Sequence, residues 1–247
     1  MLHWSISLFR IRGIRLAVHV SFFLLLAYVA YQGWHTAPGA HWRGLIWSVS
    51  YVLLLFTCVV LHELGHALTA RHFGVGVPRI LLLPVGGMAE FDSIPREPRQ
   101  EILIALAGPA VNFGLIACLL FIVPPPSRHE LLTSDLTFRS LVQHILTMNF
   151  AMGCFNLVPV FPMDGGRVLR ALLARQMPYV RATFWAATVG KFFAALAIGL
   201  ALTGMFFTQA WVGGALLALL FTFIFWAGEN EYRTVRIEDA DRVRWKL

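Results

Sequence analysis

The chain has 247 residues, of which 58% are hydrophobic and only 13% are charged, and its formal net charge is +7. A soluble domain carries about 25% charged residues, so this composition excludes an ordinary soluble domain. The cysteines Cys58, Cys118 and Cys154 lie in apolar segments without a C-x-x-C spacing, which indicates packing residues rather than a disulfide set or a metal cluster.

The apolar residues are gathered into six stretches of about the 20 residues that a transmembrane helix needs. They lie near residues 14–33, 44–70, 101–123, 138–158, 183–206 and 210–228. The first stretch lacks a small-residue cleavage site, so we interpret it as a span rather than a signal peptide. We therefore predict an all-α polytopic membrane protein with about six transmembrane helices in a domain of residues 1–228, followed by a short charged tail of residues 229–247.

The basic residues are distributed unevenly among the segments between these stretches. Six spans place both termini on one side, and 17 of the 20 lysines and arginines fall on that side. The other side has only Arg43, Arg128 and Arg139. Cytoplasmic loops of membrane proteins carry an excess of basic residues, so we expect both termini to be cytoplasmic. This topology explains the net charge, and we expect no nucleic-acid partner.

The segment 73–100, between the second and third stretches, is neither helical in period nor fully polar. Its core, residues 80–91, has the pattern of a short apolar strand, a Pro/Gly turn and a second short strand. Such backbone lies at membrane depth only where it is buried in protein or lines a wet cavity. We therefore predict a re-entrant β-hairpin between the second and third helices.

The second stretch ends in the sequence His62-Glu63-Leu64-Gly65-His66. Residues four apart share one face of a helix, so both imidazoles can bind one zinc ion. Glu63 then flanks the metal, where its carboxylate can act as a general base. Ionisable groups are costly within a membrane span, and three of them in five residues indicate a functional site rather than packing.

Catalytic zinc usually has three protein ligands, and Asp164 is the leading candidate for the third. Gly44 to His62 and Phe138 to Asn156 are each 18 residues, or about 27 Å of helix. Because the hydrocarbon core is about 30 Å thick, both motifs are expected near its cytoplasmic edge. An alternative is that Asp164, within Asp-Gly-Gly-Arg, only caps the following helix.

Three other polar residues lie in the predicted spans, and the role of one of them, Asn112, is left open by the sequence. Asn112 is either a buried amide that links helices or a residue that contacts the substrate. His19 and His144 are interpreted as packing or interfacial residues rather than metal ligands.

Together these motifs resemble the site-2 protease family of intramembrane zinc metalloproteases. The resemblance rests on His62-Glu63-Leu64-Gly65-His66, on Ala107-Gly108-Pro109-x-x-Asn112 and on Asn156-x-x-Pro159-x-x-Pro162-x-Asp164-Gly165. With the similar start of the first span, it covers roughly residues 14–170, and a catalytic core is expected over about residues 44–170. The chain resembles a compact form of the family, without a PDZ domain or a CBS pair.

The resemblance implies one Zn²⁺ per chain, bound by His62, His66 and Asp164, with Glu63 as the catalytic base. It further implies that four residues contact the substrate: Asn112, Asn156, Gly86 and Gly87. The edge of the hairpin would then present a strand to an extended peptide.

The activity implied is hydrolysis of peptide bonds within or near the membrane span of another protein. The expected partners are a single-span membrane-protein substrate, a regulatory membrane protein and the lipid bilayer. The expected setting is a bacterial or archaeal cell membrane, and the expected role is release of a transcriptional regulator into the cytoplasm. The alternatives are a zinc-holding scaffold, an inactive relative, or a metal transporter, whose ligands would be distributed along a path through the membrane.

Overall fold

The structure is a computed structural model that describes residues 4–36, 39, 41–93, 95–123 and 137–244. Arg128 and residues 245–247, which the topology and tail predictions used, lie outside the described residues. The strands are β1 (Ser5–Ile11), β2 (Ile14–His19), β3 (Arg79–Leu83) and β4 (Gly86–Glu90). The helices are α1 (Ser21–Thr36), α2 (His41–His72), α3 (Pro98–Leu120), α4 (Phe138–Asn156), α5 (Asp164–Leu173), α6 (Tyr179–Thr208) and α7 (Trp211–Arg244).

Among the described residues, four helices are long and apolar enough to cross a membrane, namely α2, α3, α6 and α7. They correspond to the second, third, fifth and sixth predicted spans. The first predicted span overlaps the 16-residue helix α1, which is shorter than the roughly 20 residues a membrane crossing needs. The fourth corresponds to α4, which has 19 residues but carries several polar side chains and is not among the four. Four of the six predicted spans are thus matched among the described residues, and the number of six stays a prediction.

The prediction of an all-α fold is corrected by a four-stranded sheet with strand order β1-β2-β3-β4. Strand β2 pairs antiparallel with β1 and parallel with β3, and β3 pairs antiparallel with β4. Residues 14–19, predicted as the start of the first span, form β2 because their apolar side chains are buried in this sheet. The predicted hairpin is present as β3 and β4, and its depth in the membrane stays a prediction.

The chain forms two compact units. The first comprises Met1–Ile94 and Ala107–Cys154, and within the described residues it contains the sheet, α1, α2 and most of α3 and α4. The second comprises Pro95–Leu106 and Phe155–Leu247 and contains α5, α6 and α7. Residues 229–244, predicted as a tail, continue α7 as helix.

A buried ion cluster holds the second unit together around Arg170. This side chain is 0% exposed and forms ion pairs with Glu101 and Glu231, each at 2.5 Å. Its guanidinium also lies 5.0 Å from the ring centre of Tyr179 and 5.1 Å from that of Phe161. The cluster therefore fixes α5 to the first turn of α3, to the start of α6 and to α7.

Candidate metal centre

Two histidines on α2 point their Nε2 atoms at a common position. His62 and His66 are one helical turn apart, and each is 4% exposed. Their Nε2 atoms are 3.1 Å apart, and the two rings are nearly perpendicular at 83°. Two nitrogens bound to one tetrahedral zinc at 2.0–2.1 Å would be about 3.3 Å apart. The observed separation therefore fits a pair of ligands that share one ion.

Glycines keep the space around these nitrogens open. A Cβ on Gly108 of α3 would lie 2.7 Å from Nε2 of His62 and closer still to Nε2 of His66. A Cβ on Gly65 of α2 would lie 2.7 Å from the carbonyl oxygen of Ala107, so this glycine allows α3 to approach α2. A side chain at Gly108 would occupy the position that a metal ion needs, and glycine leaves that position free.

A buried amide fixes the orientation of His62. The Nδ1 atom of His62 lies 2.5 Å from Oδ1 of Asn112, whose Nδ2 donates to Oδ1 of Asn149 at 2.9 Å. Both asparagines are 0% exposed. An amide oxygen only accepts, so Nδ1 of His62 carries the hydrogen and Nε2 keeps its lone pair for a metal. Asn112 is therefore a buried amide between helices, as one interpretation held, and its contact with substrate stays a prediction.

The half-buried side chain of Glu63 lies against strand β4. Its Oε2 accepts a hydrogen bond from the backbone N–H of Ala89 at 3.1 Å. A Cβ on Gly87 would lie 2.6 Å from Cγ of Glu63, so any other residue at this point of the strand would displace the Glu63 side chain. Gly86 has φ = +140°, a conformation that glycine adopts readily, where the turn from β3 enters β4. Gly86 therefore allows the turn into β4, and Gly87 leaves room for the Glu63 side chain against the strand.

Asp164 is the first residue of α5 and is 8% exposed. The N-cap position is held by Met163, without a side-chain capping bond, so the interpretation of Asp164 as the N-cap is wrong. Asn156 is the last residue of α4 and is half-buried. A Cβ on Gly165 would lie 2.6 Å from the carbonyl carbon of Leu157, so glycine lets α5 begin directly against the preceding loop. A buried carboxylate at this helix start also benefits from the helix dipole.

The predicted site residues thus have clear positions in their own units. The first unit brings His62, Glu63, His66, Gly87 and Asn112 together, with Gly86 adjacent in sequence. All three predicted metal ligands, including Asp164 of the second unit, are buried.

Sequence reasoning missed Asn149 and Ala89. The available signal for Asn149 was an amide side chain inside a predicted membrane span. The histidines interpreted as packing residues do pack: Nδ1 of His19 contacts the Ser21 hydroxyl, and the ring of His144 contacts Trp47 edge-on.

The chain is similar in sequence to a known protein family and to several known proteins. A family model described as peptidase family M50 matches residues 50–125 and 128–197, more than half of the chain. A zinc metalloprotease of Methanocaldococcus jannaschii is 36% identical over 237 residues, which cover 96% of this chain and 63% of that protein. The stage IV sporulation protein FB of Bacillus subtilis is 33% identical over 134 residues, covering 53% of this chain and 43% of that protein. The chain thus spans less than two thirds of the length of these curated relatives.

A solved structure also matches. The site-2 protease from Methanocaldococcus jannaschii aligns with a TM-score of 0.61 at 34% identity, covering 93% of this chain and 95% of that chain. The resemblance to site-2 proteases drawn from the three motifs is confirmed. The chain therefore belongs to peptidase family M50.

Proposed function

We propose that the protein is an intramembrane zinc metalloprotease that binds one zinc ion through His62, His66 and Asp164. The observation that carries this proposal is the pair of Nε2 atoms 3.1 Å apart on the apolar helix α2. Two imidazoles and a carboxylate are a donor set typical of catalytic zinc, because they leave one of four positions open for water or substrate. Membership of peptidase family M50 supports the same conclusion.

The proposed chemistry assigns one role to the metal and the others to side chains. When bound, zinc polarises a peptide carbonyl and makes water at the site acidic near neutral pH. Glu63 takes the proton of the attacking water and returns it to the leaving amine. The hydrogen bond from Ala89 N–H to Oε2 supports this role, because it holds the carboxylate beside the metal-binding turn of α2. Asn112 and Asn156 are proposed to contact the substrate backbone or its developing negative charge.

The proposed substrate is the single membrane span of another protein, bound in an extended form. Helical hydrogen bonds shield a scissile carbonyl, so the span must unwind locally before cleavage. Strand β4 is a terminal strand of the sheet, and terminal strands have backbone groups free to pair with an added strand. This position supports Gly86 and Gly87 as substrate-binding residues. Pairing with β4 would supply the hydrogen bonds that an unwound span loses in lipid.

The proposed role is release of a membrane-tethered transcriptional regulator into the cytoplasm, under the control of a regulatory membrane partner. Its support is the orientation predicted from the basic residues. The last turn of α2, which follows the histidines, carries Arg71 and His72. Basic residues at the end of a span favour the cytoplasmic side, so the site would open toward the cytoplasm of a bacterial or archaeal cell, with both termini there.

The proposal is tested by cleavage of single-span reporter proteins in liposomes. Wild type, zinc-stripped wild type with zinc restored, and Asp164→Asn are compared, with zinc content and product masses measured. Asp92→Asn is the matched control, because Asp92 is an exposed carboxylate. We expect one zinc per chain and cleavage for wild type, restored protein and control, and neither for Asp164→Asn. Stoichiometric zinc in wild type without cleavage of any reporter would favour the scaffold.

A further inference from the structure

We propose that Asn149 is a positioning residue that fixes His62 as a zinc ligand by acting through Asn112. The inference rests on the proposed zinc site and extends it to α4. Three side-chain contacts carry it in sequence. Asn149 donates from Nδ2 to the carbonyl oxygen of Ile145 at 2.8 Å, accepts at Oδ1 from Asn112 at 2.9 Å, and Oδ1 of Asn112 lies 2.5 Å from Nδ1 of His62.

These contacts form a relay from the carbonyl of Ile145 through Asn149 and Asn112 to His62. The carbonyl of Ile145 determines which group donates and which accepts at each step. The carbonyl of Ile145 belongs to the backbone of α4, and a carbonyl oxygen can only accept a hydrogen bond. The side-chain amide of Asn149 must therefore turn its NH₂ group to Ile145 and its oxygen to Asn112. A reversed amide would place two acceptor oxygens against each other at hydrogen-bond distance.

The same constraint then passes from Asn149 to His62. Because Asn149 presents an oxygen, Asn112 must present its NH₂ group to Asn149 and its oxygen to His62. An oxygen facing Nδ1 requires the hydrogen on that nitrogen, so the lone pair stays on Nε2. A backbone carbonyl on α4 thus selects the tautomer of a histidine on α2.

Burial makes this selection strong. Asn112 and Asn149 are each 0% exposed, so water does not replace a lost partner. Without Asn149, the NH₂ group of Asn112 loses the acceptor that fixes the orientation of the amide, so either its oxygen or its NH₂ group can face His62. With the NH₂ group toward Nδ1, the hydrogen lies on Nε2, and His62 must change tautomer, at a cost in free energy, before Nε2 can bind zinc. Loss of a group that orients a metal ligand typically weakens metal affinity about 10–100-fold.

The test is the zinc Kd of the purified 247-residue chain in detergent, measured by chelator competition. Asn149→Leu keeps the approximate size and removes both hydrogen-bonding functions, so we expect zinc affinity to fall about 10–100-fold. Asn149→Asp is the conservative variant. A carboxyl buried here without a cationic partner favours its neutral form, so its O–H can donate to Ile145 and its other oxygen can accept from Asn112. We expect it to retain most of the wild-type affinity.

Thr147→Val is the matched control on the same helix. The Thr147 hydroxyl donates to the carbonyl of Gln143 at 2.9 Å, outside the relay, and its removal should leave zinc affinity unchanged. The visible spectrum of the cobalt-substituted protein gives a second readout, which should change for Asn149→Leu alone. If Asn149→Leu does not fold, Asn149→Ala replaces it, with the same expected fall in affinity.

A double-mutant comparison separates an action through Asn112 from a general loss of packing. If Asn149 acts through Asn112, Asn149→Leu should add nothing to the affinity already lost in Asn112→Ala. Additive losses, or a folded Asn149→Leu protein with wild-type zinc affinity, would overturn the inference. Failure of wild type itself to bind zinc would instead overturn the proposed function, so the two failures are distinguishable.

Discussion

The carboxylate of Glu63 accepts a hydrogen bond from the backbone N–H of Ala89 at 3.1 Å. In an antiparallel pair, N–H groups point alternately toward and away from the partner strand. The Ala89 N–H reaches α2, so it is directed away from β3. Glu63 therefore accepts from a donor on the side of β4 that faces away from β3. The proposed base is thus in direct contact with the strand that is proposed to bind the substrate.

Gly87→Ala tests whether this contact matters for catalysis. The added Cβ would lie 2.6 Å from Cγ of Glu63 and 3.0 Å from Cγ1 of Val59, so the carboxylate must move. A displacement of about 1 Å at a reacting group can slow a reaction about 100-fold. We expect a loss of that order in reporter cleavage with zinc content unchanged. Met88→Leu, a change at an exposed residue of the same strand, should cleave normally. Normal cleavage by Gly87→Ala would show that Glu63 needs no such placement.

Gly108→Ala tests the position of the metal. The methyl group would lie 2.7 Å from Nε2 of His62, in the space that the ion is proposed to occupy, so zinc binding should be lost. Gly114→Ala on the same helix is the control, because, apart from its own helix backbone, no atom of the described residues lies within 4 Å of its Cβ position. That change removes a helix-destabilising glycine and should leave the protein equally or more stable by about 0.5–1 kcal/mol. Zinc content would be measured by elemental analysis, and full occupancy in Gly108→Ala would place the ion elsewhere.

Arg170→Met tests the buried ion cluster of the second unit. Removal of the guanidinium leaves Glu101, which is 3% exposed, without its buried ion-pair partner. Breaking a buried pair in this way costs about 3–5 kcal/mol. We expect a clear fall in the thermal unfolding midpoint in detergent.

The control for Arg170→Met is Arg233→Met. Arg233 has a side chain 67% exposed and pairs with Glu229 one helical turn away. An exposed pair of this kind contributes about 0.3–0.5 kcal/mol, so the thermal unfolding midpoint of Arg233→Met should barely differ from that of wild type. Equal effects of the two substitutions would mean that the cluster does not stabilise the fold.

The turn of α2 that carries His62 and His66 and the β3–β4 hairpin were predictable because each has a local signature. The spacing of His62 and His66 alone predicts that they share one face of a helix. Pro84, Gly86 and Gly87 predict the turn of the hairpin. Strand β2 was missed because the apolar run from residue 14 continues into α1. A short apolar segment does not distinguish strand from helix by periodicity. Strand β2 ends at His19 and α1 begins at Ser21, where the two side chains are in contact. The folded chain shows this boundary, whereas the apolar pattern of the sequence does not.

The partners of the site were less predictable for a related reason. Asn112 and Asn149 are 37 residues apart, and no fixed spacing marks a contact between separate helices. The same applies to Arg170, whose partners Glu101 and Glu231 are 69 and 61 residues away. Sequence patterns report contacts within one helix or hairpin, whereas these side chains are matched only by tertiary packing.

The most direct test of the central claim is reporter cleavage by Glu63→Gln beside wild type, with zinc measured in both. Glutamine keeps the size of the side chain but cannot accept the proton, and general-base catalysis typically contributes about 10²–10⁴-fold. We predict wild-type zinc content and a loss of cleavage of that order, whereas Glu97→Gln, a change at an exposed glutamate, cleaves normally. Cleavage that survives Glu63→Gln at the wild-type rate would contradict the account.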